Sequence, residues 1–514
     1  MLVKTFGSAV VGIQATIVTI EVNILPGGVY FHMVGLPDNA VKESQQRIRA
    51  ALKNLDKRIP HGKEITVNLA PADIRKEGSA YDLSIAIGIL AASEQIPSER
   101  VSEYIMLGEL SLDGGFQPVK GVLPIAIAAK ENGFKGVILP KANAREAAIV
   151  GDIEVLGVEN ITEVIEFFSG DREIISTTVN IHEEFYERLD HYEFDFSDVK
   201  GQINIKRAFE IAAAGGHNII LIGPPGAGKT MLAKRLCTIL PPLSIEESLE
   251  TTKIHSVAGK LSRNDALVTV RPFRSPHHTV SDVALVGGGG FPQPGEISLA
   301  HNGVLFLDEL PEYKRTVLEV MRQPLEDRKV SIARARFSVE FPASFMLVAA
   351  MNPCPCGYYN HPEKECVCGP GIVQKYLNKI SGPLLDRIDI HIEVTPVSYD
   401  ELAAAAKTEG SKPIRERVIQ ARVVQEERFR MNPGLHCNAQ MSSRMLREVC
   451  RIEKPSEQLM RNAMDKLGLS ARAYDRILKV GRTIADLEGA EHIQTHHIAE
   501  AIQYRSLDRD NWGA

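Results

Sequence analysis

Long uninterrupted apolar runs are missing from this sequence. None reaches the roughly 18 to 20 residues that a membrane-crossing helix requires. The opening stretch, MLVKTFGSAVVGIQATIVTIEV, is broken by Gln14 and Glu21 and leads to no small-residue cleavage site. That is not the shape of a secretory leader, and the expectation is a cytoplasmic protein with no membrane partner. Excess positive charge is missing too. The formal net charge of −6 excludes an overall basic coat for nucleic acid, but it leaves room for a basic channel, because binding follows where the charge sits. Cysteine is scarce and unevenly placed: of seven, four fall between residues 354 and 368. An odd number so crowded argues against a disulfide framework and for a reducing compartment with a local cluster. Low-complexity tracts and repeats of fixed period are also absent.

What is present is ordinary globular chain: 44 % hydrophobic and 24 % charged over 514 residues, enough for roughly two to four domains that need no covalent staple. Residues 1–170 read as one α/β unit. VGIQATIVTIEVNI alternates like a strand, Asp38–Asn54 has helical periodicity, ITVNLAP is a buried strand, and YDLSIAIGILAAS and VKGVLPIAIAAKENG are helices, the second followed by the strand GVILP. Residues 171–197, rich in charge and aromatics, read as a linker or docking segment. Residues 198–395 restart as a nucleotide-binding α/β domain, and residues 396–514 read as a mostly helical, charged domain.

GPPGAGKT, comprising Gly223, Pro224, Pro225, Gly226, Ala227, Gly228, Lys229 and Thr230, fits G-x-x-x-x-G-K-[ST] in full. It follows the apolar strand Asn218–Ile222 and precedes a helical stretch, which is the setting the motif needs. Glycines let backbone N–H groups curl toward phosphates, and the helix N-terminus adds a favourable dipole. Lys229 would neutralise the β- and γ-phosphates of ATP, and Thr230 would offer its hydroxyl to Mg2+. Further on, Val304–Leu307 reads as a buried strand ending in Asp308 and Glu309. Asp308 suits the Mg2+ shell and Glu309 the polarisation of water, although an acidic pair at a strand end can also be a plain helix cap. Asn352 ends the strand FMLVAAMN, where a polar side chain can sense the γ-phosphate or simply make a turn. Arg387, in GPLLDRIDIHIEV, and Arg472, in a charged helix, could stabilise transferring phosphate across a subunit boundary or make surface salt bridges.

Two further segments suit a polymer track. Val280–Ser298 carries Gly287–Gly290 and interrupts the core, so its tip would be mobile and able to approach closely. Arg328–Phe341 reads as a hairpin with Arg334 and Arg336 near its tip, placed to contact DNA phosphates or merely to solubilise an edge. The segment RPFRSPHHT carries His277 and His278 with no local carboxylate or cysteine at metal-ligand spacing, and reads as packing around the inserted loop. Cys354, Cys356, Cys366 and Cys368 form C-x-C-x9-C-x-C, with His361 between. Four thiolates from two turns could hold a structural Zn2+ ion, yet the single-residue spacing departs from the usual C-x2-C, and free or redox-active thiols are the alternative.

The phosphate loop, RPFRSPHHT, GEISLAHNGVLFLDEL, MNPCPCG, LLDRID and SARAYDRILKVGRTIADL together resemble the magnesium-chelatase-like AAA+ ATPases, and among them the competence-associated ComM/YifB group. The resemblance covers essentially the whole chain. It implies an α/β fold in three parts: an N-terminal domain similar to the Lon protease domain and ribosomal protein S5, an AAA+ core, and a helical lid. It also implies a ring, commonly a hexamer, with Arg387 as arginine finger and Arg472 as the lid's sensor. The activity it implies is an ATP-driven DNA helicase that promotes branch migration in natural transformation. A chelatase-like remodelling motor and a regulatory scaffold acting on a protein partner are the competing readings. In the Lon-like part, Ala80 falls at the nucleophile position with Ser79 one residue early, and Leu123 falls at the lysine position with Lys120 three residues away. A Ser–Lys dyad needs both groups in hydrogen-bond reach, so this domain reads as non-proteolytic.

Overall fold

A computed structural model describes residues 1–505 apart from 29, 58, 61, 187–192, 263–264, 291, 335–336, 362, 370, 398–407 and 433. Contacts divide the chain into two compact units, Met1–Leu189 with Ser244–Thr269, and Asp190–Leu243 with Val270–Ala514.

The first unit is built on a mixed seven-stranded sheet. Its strands are β1 (Leu2–Val11), β2 (Gln14–Pro26), β3 (Phe31–Val34), β4 (Lys63–Ala70), β5 (Tyr104–Met106), β6 (Gly136–Pro140) and β7 (Glu154–Val158), in the order β3-β4-β2-β1-β5-β6-β7. The stretch expected as one strand is strand β2 from Gln14 onward, while its first residue, Val11, ends β1 on the far side of a tight turn. Val11 pairs with Gln14 across Gly12, whose φ of 66° lets the chain reverse in two residues. The alternation on both sides of the turn hides it from a periodicity reading. The helix Asp82–Ala92 is buried at every position, so it carries no polar stripe and reads as apolar all round. Its buried Asp82 is held by Arg47, with N–O distances of 2.6 and 3.0 Å, and by the Leu110 N–H at 3.1 Å.

Ser244–Thr269 comes from the middle of the stretch expected to form the ATPase core, yet it packs in this first unit. Its helix, Ile245–Ala258, starts with a reciprocal Ser244/Glu247 cap and ends at Gly259 in the left-handed region. The Gly121 N–H donates to Ser256 O at 3.1 Å, and the Ser256 hydroxyl donates to the buried Glu146 carboxylate, which also accepts the Leu123 N–H at 3.1 Å. Burial raises the Glu146 carboxyl above its ordinary value, against the pull of the Ser256 hydroxyl and the Leu123 N–H.

The second unit holds a five-stranded sheet of β8 (Ile219–Ile222), β9 (Phe273–Arg274), β10 (Val304–Leu307), β13 (Met346–Met351) and β14 (Ile390–Glu393). The two strands between, β11 (Lys329–Arg334) and β12 (Phe337–Pro342), form a separate antiparallel hairpin. The sheet order is β9-β10-β13-β8-β14, and every pair is parallel. Strands β8, β10 and β13 are buried at every residue, as expected of parallel strands covered on both faces. The C-terminal part is helical: Ser411–Phe429, Ser443–Val449, Lys454–Leu467, Ala471–Leu487 and Thr495–Gln503. No described helix is long and apolar enough to cross a membrane.

A buried polar knot ties this helical part to the amino ends of β8 and β14. His217 Nδ1 lies 3.2 Å from Asp389 Oδ2, and its Nε2 lies 2.8 Å from the Thr483 hydroxyl on helix Ala471–Leu487. The Asn218 N–H donates to the same carboxylate at 3.2 Å, and Arg476 Nη1 stands 3.0 Å from Asp389 Oδ1. Burial alone would raise the Asp389 carboxyl, but Arg476 and His217 override it and hold it well below the usual carboxylate range. Removing one partner of such a buried pair leaves an uncompensated charge. Arg476→Met should therefore lower the unfolding free energy in urea by about 3 kcal/mol; a loss no larger than that of an exposed-arginine substitution would show that the knot does not fasten the helices.

Candidate nucleotide site

Because β8, β10 and β13 run parallel, their carboxyl ends share one edge of the sheet, where ligands of open α/β sheets gather. The phosphate loop leaves β8 there, Asp308 and Glu309 leave β10, and Asn352 leaves β13. Gly223 opens the loop where only glycine fits: a Cβ would lie 2.3 Å from Val394 O. Gly226 and Gly228 both sit at φ 83°, a left-handed conformation costly to other residues. Between them Ala227 is buried, with its N–H donated to Pro224 O at 3.3 Å. Helix Lys229–Leu236 follows at once, so its free N–H groups face the loop.

Lys229 is 9 % exposed. Its ammonium donates to Gly223 O at 2.7 Å, Pro224 O at 3.0 Å and Asn352 Oδ1 at 3.1 Å. Burial lowers its pKa, while Asp308 and Glu309 pull it back up. An ammonium desolvated in this way gains from any anion placed before it. Thr230 donates its hydroxyl to Asp308 Oδ2 at 2.6 Å, and Asp308 Oδ1 accepts the Glu309 N–H at 2.9 Å. Hydroxyl and carboxylate thus meet as a pair of oxygen donors, the chemistry Mg2+ prefers. Glu309 itself has φ 52°, an uncommon backbone conformation for this residue type.

His278 is the functional candidate that the sequence reading did not single out. Its Nδ1 stands 3.2 Å from Glu309 Oε2. It stacks on His277 with ring centroids 4.1 Å apart and meets Tyr313 edge-on at 6.4 Å. Tyr313 donates to Pro276 O at 2.6 Å, which fastens the segment. The only signal in the sequence was position: RPFRSPHHT joins β9, the neighbour of β10, to the inserted loop.

Arg387 and Arg472 lie elsewhere. Ile219 pairs with Ile390 in register, so Arg387 precedes β14 at the amino edge of the sheet, while the phosphate loop leaves the carboxyl edge. Four strand residues at about 3.3 Å each separate those edges. Arg387 is buried and donates to Glu326 and to Pro383 O. Arg472 is more than half exposed and pairs with Asp386 at 3.2 Å. The fold therefore sets Arg472 on Asp386, the residue next to Arg387 in the chain.

The inserted loop is built from a short helix, Asp282–Val286, a paired turn joining Gly287–Gly288 to Gln293–Pro294, and helix Glu296–Leu299. A Cβ at Gly287 would lie 2.5 Å from Gln293 O, so this glycine serves close backbone approach. In the hairpin, Arg334 pairs in register with Phe337, and Arg336 lies outside the described residues. In the first unit, Ser79 donates to Glu109, and Leu123 is fully buried.

The four cysteines meet. Cys354 Sγ lies 3.3 Å from Cys356 Sγ and 3.7 Å from Cys366 Sγ, the last two are 3.6 Å apart, and all four sulfurs lie within 4.8 Å of one another. His361 stands outside this group; its Nδ1 accepts the Glu363 and Lys364 N–H groups, both at 3.0 Å.

Comparison with known proteins places the chain in a family. The family model for magnesium chelatase, subunit ChlI, matches residues 195–402. Models for subunit ChlI of Mg-chelatase and for the ChlI C-terminal part match 20–143 and 408–505. The chain is 44 % identical over 506 residues to the competence protein ComM of Haemophilus influenzae, covering 98 % of this chain and 97 % of that protein. It is 43 % identical over 502 residues to the protein YifB of Escherichia coli, covering 98 % and 96 %. A shorter stretch of 94 residues, 18 % of this chain, is 40 % identical to 9 % of the archaeal Lon protease of Pyrococcus abyssi. The chain belongs to the magnesium-chelatase-like AAA+ family, in its ComM/YifB group.

Proposed function

We propose that this protein is an ATP-hydrolysing motor that assembles into a hexameric ring and drives helicase or branch-migration work on single-stranded or branched DNA during transformation or recombination. The observation that carries the motor reading is the split of phosphate-handling residues between two edges of one sheet. Lys229, Thr230, Asp308, Glu309 and Asn352 converge on the carboxyl edge, while Arg387 precedes β14 at the amino edge and Arg472 pairs with its chain neighbour Asp386. A complete site then needs the carboxyl edge of one copy and the amino edge of another. The likeness to a competence protein along nearly the whole chain supports DNA as the partner, and the arginines that the sequence carries in the β11–β12 segment, Arg334 and Arg336, would supply charge for its phosphates.

On this reading the phosphate loop binds ATP, and Lys229 exchanges its contacts with Gly223 O and Pro224 O for phosphate oxygens. Thr230 and Asp308 would hold Mg2+, which supplies charge neutralisation when bound. Glu309 takes the proton-directing role toward water, Asn352 reads the γ-phosphate, and Arg387 and Arg472 act on a neighbour's nucleotide once Arg387 parts from Glu326. The four cysteines hold a structural zinc ion. Ser79 is engaged by Glu109, and Leu123 stands where a Lon-type lysine would, which supports a non-proteolytic first unit.

DNA should raise the ATPase rate, measured with single-stranded and forked substrates beside Lys229→Ala as the blank; a rate indifferent to DNA would remove DNA from the proposal. Glu309→Gln should retain ATP binding and assembly while turnover falls by about 10²-fold or more, the usual worth of a positioned base. Arg387→Ala and Lys229→Ala should each be inactive alone, Arg387→Ala by roughly 10³-fold, yet mixed rings should recover hydrolysis, because Lys229→Ala subunits still offer Arg387 to their neighbours. A mixture as inactive as its parts would refute action across the boundary. His278 restrains Glu309 at rest, so His278→Ala should raise the DNA-free rate and shrink stimulation by DNA; an unchanged ratio would deny His278 that role.

A further inference from the structure

The loop of residues 353–368 begins at the nucleotide site and ends in the four-cysteine cluster. Asn352, which accepts from Lys229 at 3.1 Å, is two residues from Cys354, and the Cys354 side chain is fully buried. Gly357 has φ 85°, and a Cβ there would lie 2.5 Å from Pro225 Cδ. The backbone of the cysteine loop therefore rests directly on the tip of the phosphate loop, and Gly223, Pro224, Pro353, Gly357 and Tyr359 line one pocket between them. The other end of the loop returns through Cys366 and Cys368.

The cluster has the dimensions of one tetrahedral ion. Zinc–sulfur bonds of about 2.3 Å place neighbouring sulfurs about 3.8 Å apart, close to the 3.3, 3.6 and 3.7 Å seen. A disulfide needs about 2.05 Å, and an iron–sulfur cluster needs its cysteines spread around several metal and sulfide atoms.

We infer that Cys354, Cys356, Cys366 and Cys368 bind one zinc ion that braces Asn352 and the phosphate loop against each other, so that ATP turnover depends on occupancy of the metal site. The inference rests on the nucleotide site proposed above, but not on DNA as the partner. The cluster closes the loop at both ends, and four protein ligands leave no open position for chemistry on the ion. Its effect on turnover is therefore positional, through Asn352 and Pro225.

The test uses the full chain without DNA. Protein purified under reducing conditions with zinc supplied should hold one equivalent of zinc by atomic emission, and Cys366→Ser/Cys368→Ser should hold little. Chelation of the wild-type protein should lower kcat/KM for ATP roughly tenfold, in the range typical of losing the support behind a site's ligands, and zinc should restore it; ring mass is followed by light scattering in each arm. In an Asn352→Ala background the same chelation should cost little more, since the support would act on a group no longer there. Absence of retained zinc, a disulfide among the four cysteines, or an unchanged kcat/KM after metal removal would each overturn the inference. Hydrolysis persisting in Lys229→Ala would instead overturn the nucleotide site itself. If the double serine variant does not fold, the chelation and refilling arm decides alone.

Discussion

The polarity of strand β8 is the constraint on which the second unit depends. It is central, flanked by β13 and β14, parallel to both and buried throughout. Burying its four apolar side chains is worth roughly 1.5 to 3 kcal/mol each, which fixes its place in the core. Once it is fixed, its carboxyl end must deliver Gly223–Thr230 to one edge, and its amino end must deliver His217 and Asn218 to the other. Each neighbouring strand obeys the same direction, so the phosphate loop, the Asp308–Glu309 pair and Asn352 collect at one edge and the Asp389 knot at the other. The strands themselves hold Arg387 and the phosphate loop of the same copy at opposite edges of the sheet.

The two edges are built on different electrostatics. At the amino edge, charges are matched: Asp389 is met by Arg476, His217 and the Asn218 N–H, and the arrangement pins the helix Ala471–Leu487 to the sheet. At the carboxyl edge, charges are left open. Lys229 is desolvated and leans on backbone carbonyls, which satisfy its hydrogens but offer no full negative charge. Thr230 and Asp308 satisfy one another with oxygens that a cation would draw apart. A matched edge resists change, and an open edge gains from a charged ligand, so the same sheet serves as both anchor and receptor.

Much of this was legible in the sequence because it is local. The phosphate loop, the apolar strands before it and before Asp308, and the helices Asn39–Asn54 and Asp82–Ala92 each announce themselves within a window of some ten to fifteen residues. The turn at Gly12 was missed because alternation continues on both sides of it. The place of Ser244–Thr269 was not legible, because a helix with its own caps says nothing about which body it packs on. His278 escaped for a related reason: its approach to Glu309 is made by a loop folding back, and a histidine pair without ligand spacing gives no sign of it. The cysteine spacing showed a cluster, but the contact of Gly357 with Pro225 exists only in three dimensions.

Three chain segments lead away from Asn352, Glu309 and Lys229, the groups proposed to face the γ-phosphate, and each leads somewhere different. From Asn352 the chain enters the cysteine loop. From Glu309 the contact passes to His278 and on to the inserted loop Val280–Ser298. From the helix Lys229–Leu236 the chain runs into Ser244–Thr269, which packs in the first unit beside Glu146. The γ-phosphate is the one part of the nucleotide that hydrolysis removes, so a group that loses its partner there is released at the moment of turnover. Asn352 and Lys229 already bond to each other across that space, hence release of one is felt by the other. If the inserted loop touches a polymer and the cysteine loop holds its end fixed, the stroke falls on the side of Glu309 and His278 while the side of Asn352 stays put. Such an asymmetry, with one wall free to move and one wall braced around a single phosphate, would let a motor turn loss of a small anion into directed movement.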